Sequence, residues 1–148
     1  MSEFIALFTR ASKLMRSAAD SAMSRHGVRV GQNLVIDQLA AEDGLTPGEL
    51  AQRLGVTTPT IVKMAGRMES TGLVTKRRDS KDARLVRLHL TAHGRAVKAP
   101  VDEERRLLAE RATAGLPRRD LQELEKSLRR MVANLEEIAP TLEDVADP

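Results

Sequence analysis

The stretch TPGELAQRLGVTTPTI, residues 46–61, decides how the rest of the chain is read. Thr46-Pro47-Gly48-Glu49 has the form of a capping box: a threonine to cap the helix, proline at the first helical position, and glutamate three residues after the threonine. Leu50, Ala51 and Leu54 then recur at helical spacing, and Gly55 supplies a left-handed stop. Only Val56 and Thr57 separate this element from a second helix. That helix has Pro59 in its first turn, buries Ile61, Met64, Ala65 and Met68, and ends at Gly72. Two short helices joined by a tight glycine-containing turn make a helix-turn-helix, expected over 46–55 and 57–71.

Downstream of Gly72 the apolar period drops from helical to two. Val74, Lys76 and Arg78 alternate on one side, and Val86, Leu88 and Leu90 alternate further on, with the polar, turn-prone Asp79-Ser80-Lys81-Asp82-Ala83 between them. This predicts a β-hairpin with a charged tip over 73–90. Thr91 then caps another helix through about residue 114, with a bend expected near Ala99 because Pro100 would otherwise sit in a helix interior. Gly115-Leu116-Pro117 reads as a loop, with Pro117 expected to open the last helix. There Leu121, Leu124, Leu128, Met131, Leu135 and Ile138 form a seam spaced three and four. Such a seam packs either on its own domain or on a partner helix, and spacing alone does not choose. The acidic tail, 141–148, is expected to fray.

Upstream, residues 3–24 show helical periodicity through Phe4, Leu7, Phe8, Ala11, Leu14, Met15, Ala18, Ala22 and Met23, with no internal glycine or proline. Arg25-His26-Gly27 breaks the pattern, and a second helix is expected from about residue 30 to 42.

Composition limits what such a chain does. At 148 residues, 41% hydrophobic, it is long enough to bury a core and too apolar for wholesale disorder. No run approaches a membrane span, and Phe4-Ile5-Ala6-Leu7-Phe8 is too short, without a basic flank, for a signal peptide. The absence of cysteine excludes disulfides, thiolate metal sites, a cysteine nucleophile and thiol sensing, and the expected compartment is the cytoplasm. The net charge of +3 is unevenly spread: residues 1–56 sum to zero, 57–98 to +7 and 101–148 to −4. A basic middle between neutral and acidic flanks is the footprint of a polyanion-binding surface, although a solvated basic face has the same arithmetic. Nothing points to an enzyme. His26, His89 and His93 sit in no metal or catalytic spacing, the glycines are scattered singly, and no G-x-S-x-G occurs. No metal and no cofactor are expected.

The order of elements is that of a winged helix between terminal helices. Gly72-Leu73-Val74, Asp79, Asp82-Ala83-Arg84, Leu90-Thr91 and Gly94 resemble the MarR (multiple antibiotic resistance regulator) family, whose wing reads D-x-R, then L-T, then G. Leu50-Ala51, Leu54-Gly55-Val56 and Pro59-Thr60-Ile61 resemble its helix-turn-helix. The resemblance in element order covers nearly the whole chain, and the specific motif covers 46–94. Lys76 stands where the family usually has arginine, Asn33 where an aromatic is frequent, and Pro100 departs from the usual long helix.

The resemblance implies a mainly α fold with a small β-wing. Its parts are an N-terminal dimerisation helix (1–28), a winged helix-turn-helix DNA-binding lobe (29–92) and C-terminal dimerisation helices (93–140). It implies a transcriptional regulator, a ligand-responsive repressor, homodimeric on a pseudo-palindromic operator in double-stranded DNA. Under that reading Thr57, Thr58 and Thr60 lie at base edges or phosphates, although all three also serve as simple caps, and Lys63 lies one turn further along. Arg67 is assigned to phosphate or to an internal ion pair. Arg84 enters the minor groove from the wing tip, oriented by Asp82, while Lys76, Arg77 and Lys81 contact phosphates. Phe4, Phe8, Leu121, Leu124, Leu128, Met131 and Leu135 form the dimer interface. A small anionic or aromatic effector is implied between the dimer helices and the DNA-binding lobe, near Arg16, Met23, His26 and Gln32, with Arg16 and His26 as plain surface residues the alternative. The competing function is a winged-helix protein-interaction module with no specific DNA target.

Overall fold

The computed structural model describes residues 2–142, with side chains to residue 138, so the acidic tail lies outside the described residues except for its first two positions. The chain divides into two compact units, residues 1–109 and 110–148.

In the first unit, α1 (Glu3–Ser24) is followed by α2 (Gln32–Ala41), α3 (Pro47–Leu54) and α4 (Thr58–Ser70). The capping box at α3 is formed in both directions: Thr46 Oγ1 accepts from the Glu49 N–H at 3.2 Å, and Glu49 Oε2 accepts from the Thr46 N–H at 3.4 Å. Gly55 closes α3 at φ 66°, the left-handed conformation that favours glycine. β1 (Val74–Arg78) and β2 (Val86–Leu90) pair antiparallel, with Val74 opposite Leu90, Lys76 opposite Leu88 and Arg78 opposite Val86. Leu45 bridges Leu88 from the α2–α3 loop, so the wing is tied to the helix-turn-helix by backbone hydrogen bonds on its core side.

One core serves all these elements. Leu39, Leu50, Met68, Leu73 and Leu88 are fully enclosed, and Val28, Val35, Ile36, Leu45 and Ile61 fill the space between them. Of α1, only Met23 is buried; Phe4, Leu7, Phe8 and Leu14 face solvent, with the Phe4 and Phe8 rings 5.9 Å apart. Among the described residues, the amphipathic stripe of α1 is therefore exposed ahead of its last turns.

The helix expected over 92–114 is two helices, α5 (Ala92–Ala96) and α6 (Lys98–Ala112), and its break falls at Val97, ahead of the bend expected near Ala99. Pro100 cannot donate to the Ala96 carbonyl, and its ring would strike that carbonyl in a continuous helix. Restarting at Lys98 places the proline in a first turn, where no intrahelical donor is required. In the second unit α7 (Arg118–Leu142) starts directly after Pro117, whose carbonyl accepts from the Leu121 N–H at 3.1 Å. Along α7 the seam is intact: Leu121, Leu128 and Met131 are half-buried, and Leu124, Leu135 and Ile138 are exposed. Among the described residues no helix is long and apolar enough to cross a membrane.

Candidate nucleic-acid interface

Burial of Ile61, Ala65 and Met68 fixes how α4 is turned. Helical spacing then puts Pro59, Val62, Lys63, Gly66 and Ser70 on the outward side, and Thr60, Met64 and Arg67 on one flank. Thr57 caps the helix: its hydroxyl accepts from the Thr60 N–H at 3.4 Å and lies 2.9 Å from the Thr60 hydroxyl. Two of the three threonines singled out in the sequence are thus engaged with each other, and Thr58 is left exposed.

At the wing, Asp79 and Asp82 organise the tip. The Asp79 carboxylate accepts from the N–H groups of Lys81 (3.0 Å) and Asp82 (2.8 Å), closing the turn, and from Arg87 Nε at 2.7 Å. The Arg87 guanidinium, followed by these two backbone donors, holds the Asp79 carboxyl below its ordinary range. Asp82 accepts from Arg84 through the backbone N–H, Nε and Nη2, each at 3.1 Å, which holds its carboxyl low as well. The side chain of Arg84 is nonetheless 90% exposed. The result is a fixed, solvent-facing guanidinium at a hairpin tip.

Between α1 and α4 lies a crevice of about 900 Å³. Lys13, Arg16, Ser17 and Asp20 line it from α1, Arg29, Val30 and Gln32 from the connecting turn and the start of α2, and Thr60, Lys63, Met64 and Arg67 from α4. Asp20 is the one acid among five cations, and it is occupied: it grips Arg29 at 2.9 and 2.8 Å and accepts from the Val30 N–H at 2.9 Å. The Arg29 hydrogen bond, then that of Val30, keeps the Asp20 carboxyl ionised below its ordinary range.

Residues 26–85, which contain α4 and the wing tip, match the model of the MarR family. This segment is similar to the MarR family. Two curated relatives align with the chain. The HTH-type transcriptional regulator TtmR of Methylorubrum extorquens (strain PA1) is 34% identical over 82 residues, 55% of this chain and 42% of the relative. The HTH-type transcriptional repressor MdtR of Bacillus subtilis (strain 168) is 32% identical over 72 residues, 49% of this chain and 46% of the relative. The matched stretch thus spans less than half the length of either. Among solved structures, the S. aureus MepR–DNA complex superposes with a TM-score of 0.80 at 21% identity, covering 90% of this chain and 99% of that one. A mutant MarR from E. coli complexed with operator DNA gives 0.76 at 22% identity, covering 85% and 91%. The fold is the MarR winged helix.

The matched segment, residues 26–85, holds every residue assigned from the sequence to DNA. Lys63, Arg67, Arg77 and Lys81 make no ion pair among the described residues, so Arg67 lines the crevice where an internal pair had been one of its two expected roles. Lys76 Nζ lies 3.9 Å from Glu69, an exposed contact that removes little of its charge.

Of the four residues expected near an effector, Arg16 and Gln32 line the crevice and the other two do not. Met23 is core, because the last turn of α1 is the part that packs inward. His26 Nε2 sits 3.1 Å from Glu104 of α6, an acid 78 positions away that local spacing could not reveal. Asn33, which stands where the family often has an aromatic, is buried, and its side-chain oxygen accepts from the Gly31 N–H at 3.0 Å in the turn into α2.

Three supports of the matched segment escaped the sequence reading. Arg87 bridges Asp79 to the Gly44 carbonyl (2.9 Å), which also draws it away from its cross-strand neighbour Arg77. Asp43 accepts from the Leu90 N–H at 3.0 Å and lies 3.2 Å from His89 Nδ1 and 3.0 Å from Arg95. Asp20 is the third. The turn at Asp79 was read from the sequence, but its partner Arg87, eight positions on, gave no local signal. Asp43 and Asp20 had none.

Proposed function

We propose that the protein is a sequence-specific DNA-binding transcriptional regulator, a homodimeric repressor acting in the cytoplasm on a pseudo-palindromic operator, and not an enzyme. The observation that carries this reading is the wing tip: an arginine almost wholly exposed yet held in place by three hydrogen bonds to Asp82. A guanidinium fixed in advance and pointing at solvent loses little freedom on entering a narrow minor groove, where negative potential is concentrated. Beside it, Lys63 offers base and phosphate contacts from the outward side of α4, with Thr57, Thr58 and Thr60 at its N-terminus. Arg77, Lys81, Lys76 and Arg67 supply charge for the backbone.

Dimerisation is supported by two apolar stripes with exposed members, Phe4 and Phe8 on α1 and Leu124 and Leu135 on α7, the latter continuing the half-buried Leu121, Leu128 and Met131. One winged helix reads only a short half-site, so a two-fold pair is what gives useful specificity. The crevice between α1 and α4 suits a small anionic effector: Lys13, Arg16, Arg29, Lys63 and Arg67 face it and only Asp20 opposes them. Thr60 and Lys63 belong to both the crevice and the DNA-facing helix, so an occupant there draws on contacts needed for the operator and releases DNA.

The test is to mix the purified protein with fragmented genomic DNA at about physiological salt, recover what it retains and sequence it. Enrichment of a palindrome with half-sites about one helical turn apart is the expected result. Retention without a shared motif would refute a specific regulator and leave a basic interaction module.

A further inference from the structure

Gly66 lies in the interior of α4, and nothing in the fold requires it. Its φ is not positive, and a Cβ built on it meets no heavy atom within 4 Å. The other interior helical glycine, Gly94, is explained at once, because a Cβ there collides with the Leu73 carbonyl. Glycine is among the least favourable residues in a helix interior, so alanine at position 66 would serve the chain better on its own. One turn before Gly66, on the same outward side, Val62 is 48% exposed. A single exposed aliphatic is ordinary. Here it stands next to a glycine without an intramolecular purpose and next to Lys63, in the segment 57–98 whose own charge sums to +7.

We propose that Val62 reads a thymine methyl in the major groove, and that Gly66 lets the α4 backbone approach closely enough for the contact. The thymine C5-methyl is the apolar feature of a base-pair edge in that groove, and it matches a β-branched aliphatic in size and chemistry. A side chain at position 66 would hold the helix off the DNA at the point where Val62 must reach in. Lys63, between them, tethers the helix to phosphate or guanine without competing for the methyl. This inference rests on the DNA-binding reading above and specifies how that site chooses its sequence.

The experiment selects a duplex from random-sequence DNA with the wild-type protein, then replaces each thymine of the recovered site by deoxyuridine, which removes the methyl alone. At one thymine per half-site the substitution weakens wild-type binding about fourfold, the value of one buried methyl group. Val62→Ala binds the thymine duplex more weakly and no longer distinguishes thymine from deoxyuridine. Gly66→Ala raises Tm by roughly 2–4 °C while weakening the same duplex about tenfold, as an obstructing methyl group does; a purely structural glycine would not give opposite signs. Undiminished methyl discrimination by Val62→Ala, no sensitive thymine for the wild type, or a stabilised Gly66→Ala with full affinity each overturns the proposal. Failure to select any sequence refutes the DNA-binding reading itself, and the inference with it.

Discussion

Replacing Gly94 by alanine asks whether the wing is held to the core as the structure describes. The carbonyl of Leu73, which a Cβ at position 94 would strike, accepts from the Thr91 N–H at 3.1 Å and from the Thr91 hydroxyl at 3.3 Å. Leu73 precedes β1 and Thr91 follows β2, so this carbonyl closes the base of the hairpin. The added methyl also comes within 3.1 Å of the Leu90 side chain, itself core. Neither neighbour is a free side-chain end, so backbone must move. Overpacking of this kind costs about 1–3 kcal/mol. Loosening the two bonds to the Leu73 carbonyl adds about 1 kcal/mol each, and the better helix propensity of alanine returns about 1 kcal/mol. The net is roughly 2–4 kcal/mol, a fall in Tm of about 5–15 °C for a chain near this length. Far-UV circular dichroism melts at matched protein concentration measure it, with Gly66→Ala as the opposite control. A Gly94→Ala protein melting within about 2 °C of wild type would show that the hairpin base tolerates what this packing forbids.

Removing the wing arginine, Arg84→Ala, should leave the melt unchanged because the side chain is so exposed. It should weaken operator binding between about fivefold and a hundredfold, and equal affinity in a titration at fixed salt would defeat the wing assignment. Lys63→Ala should lower affinity and reduce the slope of log affinity against log salt by about 0.9 if it meets a phosphate; an unchanged isotherm would exclude it from the interface. The carboxyls of Asp79 and Asp43 both lie below their ordinary 3.8 in the folded chain, the first through Arg87 and the second through the Leu90 N–H and His89 prevailing over desolvation by burial. A depressed folded pKa contributes stability above the unfolded value and loses it as pH falls through the folded one. Tm should therefore drop below about pH 4, and the drop should be smaller in Asp79→Asn. A variant with the full acid transition would remove Asp79 from that account.

What was legible in the sequence was local. The capping box, Gly55, Gly72 and the hairpin's period of two each depend on residues within a few positions, and each appears where the residues place it. Pro100 was legible in kind and displaced in position, because a proline forbids the bond to the residue four before it and the helix yields there. What was not legible are the ties between distant segments. Arg87 joins Asp79 to Gly44, His26 meets Glu104, and Asp20 of α1 pins Arg29 beside the crevice. The periodicity that defines α1 cannot say which part of its stripe is covered, and only Met23, in its last turn, is buried. The same reasoning accounts for α4, where composition alone hides a division of labour. Its Ile61–Ala65–Met68 side belongs to the core, its Thr60–Met64–Arg67 flank to the crevice, and its Val62–Gly66 side to neither. Lys63 stands at the border of the last two. A change in the crevice that redirects this one lysine therefore alters the outward side of the helix without any movement of the core.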